Sequence, residues 1–183
     1  MKFSRVWAMP NHNTFSIKPI KELVHRYMEL ESWNELPYEK IWVDPFARDS
    51  IFNKYCRFTN DLSEECNTTH HLESLEFLGQ VSSKSVDGVL FDPPYSPRQI
   101  SECYRAVGRE VHMKDTQSSF YGDRKKEVAR ITKEGGTVIS CGWNSGGIGK
   151  TLGFEIVEIL LVPHGGAHND TIVTVEKKVK DMS

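Results

Sequence analysis

Asp92-Pro93-Pro94-Tyr95 ends a run of apolar residues, Val86 to Phe91. Proline lacks the N–H that a central strand needs for its ladder, so a buried strand must stop there. An aspartate at such a point either caps a turn or serves a site, because open α/β sheets hold their ligands at the carboxyl ends of strands. A second apolar run, Ile41 to Val43, stops in the same way at Asp44-Pro45-Phe46. Asp61 follows the next stretch, and Glu73 the one after it. Singly, each acid reads as an ordinary turn or helix-cap residue. Four of them at successive carboxyl ends of one parallel sheet read as a ligand-binding edge. Carboxylates only accept hydrogen bonds when ionised, so such an edge suits amines and hydroxyls.

Positioning those residues requires alternating strands and helices. Residues 17–33 carry Ile20, Leu23, Val24, Tyr27, Met28 and Leu30 at helical spacing, with Pro19 tolerated in the first turn. Residues 33–40 read as a loop, 40–46 as a short buried strand, 54–62 as a second strand, and 70–78 as a short third strand running into a helix. The fourth strand spans 86–94 and a helix spans 97–107. Residues 108–122 lack a period and read as loop; Asp123 can cap a helix to about Lys133, and the fifth strand follows at 135–143. Residues 154–162 and 170–178 read as the last two strands, joined by the hairpin-like Pro163-His164-Gly165-Gly166. Alternation predicts a parallel sheet with crossover helices, and the two final strands predict an antiparallel hairpin added to it.

Composition sets the outer bounds. The chain has 183 residues, 38% hydrophobic and 26% charged, which fits one soluble domain over 1–183. Net charge is −2, so any nucleic-acid surface must be local. The four cysteines, Cys56, Cys66, Cys103 and Cys141, form no CxxC pair, which argues against a disulfide framework or zinc knuckle and for a reducing compartment. There is no apolar signal core in the first residues and no run of membrane-span length, so a cytoplasmic protein is expected.

The sequence around Asp92, Phe91-Asp92-Pro93-Pro94-Tyr95, resembles the catalytic motif of S-adenosylmethionine-dependent amino-group methyltransferases, above all the DNA adenine-N6 enzymes, including small phage-type members. Residues 38–50, with Asp44-Pro45-Phe46, resemble the family's first cofactor motif. Residues 58–65, with Asp61, resemble the second, whose acid holds the cofactor ribose. Residues 72–78, with Glu73, resemble the third. Residues 14–28, with Phe15 and the Lys18-Pro19 pair, resemble a segment that precedes the first motif in part of the family. The resemblance spans nearly the whole chain. It implies a Rossmann-like class I methyltransferase fold of the α/β class, with a seven-stranded mixed sheet and a C-terminal antiparallel hairpin. It also implies a cofactor-side segment over 1–35, a mobile substrate loop over 96–122, S-adenosylmethionine as cofactor, and DNA as partner.

The family's chemistry rationalises the residue types. An exocyclic amine is a poor nucleophile because its lone pair is delocalised. Asp92 and the stiff Pro93 carbonyl would accept its two hydrogens, with Pro94 completing the elbow, and Tyr95 would stack on the flipped base. One departure stands out: the first motif usually has glycines after Phe-Ala, and here Arg48-Asp49-Ser50 follow Ala47. Either the loop takes another path with the cofactor still bound, or cofactor binding is weak, or the chain is a non-catalytic relative. Cofactor binding is expected, with Asp44 at the methionine amine, and Lys18 either at the methionine carboxylate or simply solvated.

Between Arg98 and Lys133 nine Lys or Arg stand against five acids, a local +4. Arg98, Arg124, Lys125 and Lys126 there either contact a nucleic-acid backbone or form an ordinary charged helix face. Trp143, after the fifth strand, either walls the base pocket or packs as a rim residue. His164 and His168 flank two glycines, a turn and not a helix face, so no metal is expected. RNA remains an alternative substrate, and a homodimer or separate specificity partner is possible for so short a chain.

Overall fold

A computed structural model describes residues 1–30 and 40–180; the loop expected at 33–40 and the end of the first helix lie outside the described residues, apart from Lys40. In chain order the strands are β1 (Lys2–Arg5), β2 (Trp42–Asp44), β3 (Phe58–Thr59), β4 (Val86–Phe91), β5 (Thr132–Gly142), β6 (Phe154–Val162) and β7 (Thr171–Lys178). The helices are α1 (Lys18–Tyr27), α2 (Ser74–Gln80), α3 (Pro97–Ala106) and α4 (Ser119–Ile131). One sheet of seven strands runs in the order β1-β6-β7-β5-β4-β2-β3. Every neighbouring pair is parallel except those made by β7, which runs antiparallel to both β5 and β6. Among the described residues no helix is long and apolar enough to cross a membrane.

Strand alternation sends side chains to two cores. Leu90, Ile139, Cys141, Leu160 and Val173 face one side, under Ile20, Leu23 and Val24 of α1 and the rings of Phe15 and Phe52. Val89, Phe91 and Val138 face the other, under Phe77 and Leu78 of α2 and Val128 and Ile131 of α4. Trp42 and Gly88 are paired across β2 and β4, and a Cβ at position 88 would overlap the indole. Glycine there lets the two strands that end in the motif acids carry a fully buried tryptophan between them.

Several expectations are corrected. The seventh strand is β1, which has no apolar signal of its own: its side chains are largely exposed, and it is held by backbone pairing to β6 and by Lys2 on Glu158 at 3.1 Å. The expected third strand shrinks to one parallel bridge, Asn60 to His70, before α2. The second strand is only two residues long. The helix after the polar loop starts at Ser119, so Asp123 lies inside α4 and does not cap it. Helix α3 falls where a helix was expected at 97–107; of the residues read as loop at 108–122, 119–122 are the first turn of α4 and Met113–Thr116 form a 3-10 turn. Helix α1 stops early: Met28 is its cap and Glu29 turns left-handed, with φ of 56°.

Candidate active site

Val43 pairs with Val89, so β2 and β4 leave the sheet side by side and in the same direction. Beyond β2 the chain returns on one flank through β3, and beyond β4 it continues on the other through β5. The crevice between their carboxyl ends is thus a topological switch point, where doubly wound sheets bind ligands. Asp44 and Asp92 both stand on this edge.

Asp44 is fully buried. One carboxylate oxygen accepts the Phe46 N–H at 2.9 Å, and the other, Oδ2, has no hydrogen-bond partner. Burial pushes its carboxyl well above the ordinary range, the Phe46 N–H opposes this, and the neighbouring Asp92 and Asp61 charges add to it. A buried acceptor without a donor costs about 1–3 kcal/mol. An incoming ammonium or hydroxyl would remove that cost. Pro45 is buried and its carbonyl accepts the Asn60 amide at 3.2 Å, while Phe46 packs edge-on to Phe91 at 5.7 Å between centroids.

The cleft beside them has room of about 180 Å³ and is lined by Thr14, Phe15, Phe46, Arg48, Ser50 and Asp92 among others. Arg48 takes the left-handed conformation, with φ of 46°. The chain therefore makes, with an arginine, the kind of turn for which glycine is usually used. Asn53 Nδ2 donates to the Arg48 carbonyl at 2.8 Å and the Ala47 N–H donates to Asn60 at 2.9 Å, which hold the loop from two sides. Lys18, expected at the cofactor, is exposed on the first turn of α1 and is not among the residues lining this cleft. Phe15 is buried against Phe52, with its ring edge-on at 6.2 Å.

Asp92 does not stand as an open acceptor. The Tyr95 hydroxyl donates to its Oδ1 at 2.5 Å, and Thr14 lies beside both Asp92 and Tyr95. Burial raises the Asp92 carboxyl, while these neighbours and the Arg48 charge pull it back. The Tyr95 ring meets Trp143 edge-on at 5.8 Å, so Trp143 belongs to the rim of the same site. The elbow itself is braced: the Tyr95 N–H donates to Gln99 at 2.6 Å, and the Tyr121 hydroxyl donates to the Pro94 carbonyl at 2.6 Å. Sequence reasoning missed Thr14, which opens the 14–28 stretch beside Phe15 but carries no role of its own in the motif, and Tyr121, which comes from a distant segment with no motif around it.

The other acids divide. Asp61 sits at the end of β3, accepts the Ser63 N–H at 2.9 Å, and stays at the edge beside Asp44. Glu73 is fully engaged as the cap of α2, accepting from Leu75 N at 2.8 Å, Ser74 Oγ, Tyr104 Oη and Arg124 Nη2. Burial raises its carboxyl, but the Arg124 charge and these bonds outweigh that and leave it below the ordinary range. A cofactor role for Glu73 is thereby replaced by a packing role. Arg124 is its buried partner, lying 3.4 Å over the Phe120 ring, and is no nucleic-acid contact. Lys126 pairs with Asp123 and Arg98 with Glu102, both on the surface, and Lys125 is half-buried. His164 is buried with both ring nitrogens used, one on the Ala8 carbonyl and one on Thr171, each at 2.8 Å.

The order β3-β2-β4-β5-β7-β6 with one antiparallel strand is the Rossmann-like class I methyltransferase fold, here extended by β1. Solved structures agree. TrmN of Thermus thermophilus matches 89% of this chain and 49% of its own at 14% identity and a TM-score of 0.56. A 1,6-didemethyltoxoflavin-N1-methyltransferase of Burkholderia thailandensis, solved with its substrate and S-adenosylhomocysteine, matches 89% of this chain and 78% of its own at 11% identity and a TM-score of 0.56. NSun6 of Pyrococcus horikoshii matches 78% of this chain and 49% of its own at 12% identity and a TM-score of 0.54. The chain thus spans about half the length of TrmN and of NSun6. No family model and no curated protein sequence matches it.

Proposed function

We propose that the protein transfers a methyl group from S-adenosylmethionine to the exocyclic N6 amine of adenine in DNA. The observation that carries this reading is the pairing of two acid-proline elbows, Asp44-Pro45-Phe46 and Asp92-Pro93-Pro94-Tyr95, at the switch point of a class I methyltransferase sheet. The residues present suit the cofactor: the unpartnered Asp44 Oδ2 is an acceptor for its amino group, and Asp61, just past the neighbouring strand β3, is an acceptor for its ribose.

S-adenosylmethionine supplies a methyl group on a positively charged sulfur. Asp92 and the Pro93 carbonyl accept the two amine hydrogens, drawing the lone pair out of the ring and toward the methyl carbon. Transfer of that methyl would form the nitrogen–carbon bond as the carbon–sulfur bond breaks, and Asp92 would take the surplus amine proton on its way to solvent. For the base to enter, the Tyr95 hydroxyl must leave Asp92 and its ring must turn to the base face, with Trp143 beside it. Stacking worth about 1–3 kcal/mol helps offset extrusion of the base.

The test is incubation of the purified chain with methyl-labelled S-adenosylmethionine and, separately, duplex DNA, single-stranded DNA and structured RNA. Nucleoside mass spectrometry should find N6-methyladenine in DNA. Label appearing only in RNA would move the substrate to RNA, and label on cytosine N4 would change the base; label on cytosine C5 or on a ring nitrogen would overturn the role given to Asp92.

A further inference from the structure

We propose that Arg48, standing where a glycine was expected, is a cofactor-binding residue that grips the carboxylate of the amino-acid end of S-adenosylmethionine. The inference rests on the functional reading above and names the cation that reading lacks. Three observations lead to it. First, Arg48 holds φ of 46°, in the left-handed region that is uncommon and costly for a residue other than glycine. The surroundings impose it: Asn53 binds its carbonyl at 2.8 Å, Asn13 binds the Asp49 carbonyl at 2.9 Å, and the Ser50 N–H closes a turn on Ala47 at 3.0 Å.

Second, Arg48 lines the cleft together with Asp92, Phe46 and Ser50. Among the described residues its guanidinium makes one hydrogen bond, a long one of 3.4 Å from Nη1 to the His12 carbonyl, and no ion pair. A planar guanidinium with most donors unused matches a carboxylate in bidentate geometry. Third, the stretch of chain it sits on carries charges complementary to a zwitterion. Asp44, four residues earlier and next to the cleft-lining loop 46–50, has a buried, unpartnered oxygen for the ammonium, and Arg48 carries the opposite charge in the cleft itself. Lys18, the other lysine or arginine considered for the carboxylate, is not among the residues lining the cleft. The glycine-free loop is then a charged clamp and not a degenerate one: it exchanges close backbone approach for an ion pair made at longer reach.

The experiment compares two ligands on two proteins by calorimetry, with melting curves on the same samples. The ligands are S-adenosylmethionine and its decarboxylated form, which keeps the sulfonium and amine. Wild type should bind the decarboxylated form at least tenfold more weakly. Arg48→Gly should melt no lower than wild type, since glycine suits the left-handed turn, yet bind S-adenosylmethionine at least tenfold more weakly and no longer distinguish the two ligands. Arg48→Lys should recover part of the distinction. If Arg48→Gly keeps the full preference for the carboxylate, the assignment is wrong although the functional reading stands. If Arg48→Gly loses affinity for duplex DNA and not for the cofactor, Arg48 is a phosphate contact and the assignment is again wrong. If folded wild type binds neither ligand at millimolar concentration, the functional reading itself fails and this inference with it.

Discussion

Tyr95 has two competing tasks at the scale of single residues. Its ring is the stacking platform, but its hydroxyl occupies Asp92 at 2.5 Å. Removing the hydroxyl and removing the ring should therefore act in opposite directions. Tyr95→Phe keeps the ring and releases Asp92, so catalytic efficiency should equal or exceed that of wild type. Tyr95→Ala should lose about tenfold to a hundredfold, as expected for a stack worth about 1–3 kcal/mol. Asp92→Ala should lose orders of magnitude in turnover with cofactor affinity little changed, because the amine is polarised only in the reacting complex. Single-turnover methylation, with melting curves as control, separates these outcomes; an inactive but well-folded Tyr95→Phe would show that the hydroxyl takes part in the reaction.

Glu158 shows how the elements are tied. It is buried on β6 and ties two other segments to it: α1, through Arg26 in bidentate contact at 2.9 and 3.0 Å and Tyr27 at 2.8 Å, and β1, through Lys2 at 3.1 Å. Burial works against its charge, but the bonds from Arg26, Tyr27 and Lys2 outweigh it and bring the carboxyl down to about 2. A carboxylate depressed in the folded state adds stability that is complete above the unfolded value near 4.5 and is lost as pH falls toward 2. Glu158→Gln should cost about 2 kcal/mol at neutral pH, and the gap to wild type should close between about pH 4.5 and 2. Chemical denaturation across that range measures it; a gap that stays constant at low pH would refute the ion-pair account. The same contact explains β1, a polar segment made into a strand by what its neighbour offers.

At the scale of the whole molecule, the proposed DNA substrate has to be held by local charge, because the overall charge does not attract it. Net charge is −2, and two of the four excess charges between Arg98 and Lys133 are offset by acids outside that segment, Arg124 on Glu73 and Lys133 on Asp87. Arg105 and Arg109 remain exposed on and just after α3, the helix that follows the Asp92 elbow. Their joint replacement by alanine should reduce the slope of log affinity against log salt for duplex DNA by about 2, one counterion for each phosphate contact. Anisotropy titrations over a salt series read this directly, and an unchanged slope would place the DNA elsewhere.

The two acid-proline elbows, the alternating pattern that makes them neighbours in a parallel sheet, and the closing hairpin were legible in the chain itself. These are local signals: proline stops a strand, apolar runs of four to six residues make one, and crossover connections set its direction. What the tertiary structure decided was the partnership of each polar group. Glu73 and Arg124 are 51 positions apart, and both look like site residues until packing joins them. Arg48 looks like a lost glycine until the turn places it in the cleft, and Lys18 looks like a ligand until α1 leaves it in solvent. A side chain's type states what it can bond to, but which bond forms depends on which distant segment burial brings within about 3 Å, and short-range patterns carry no record of that.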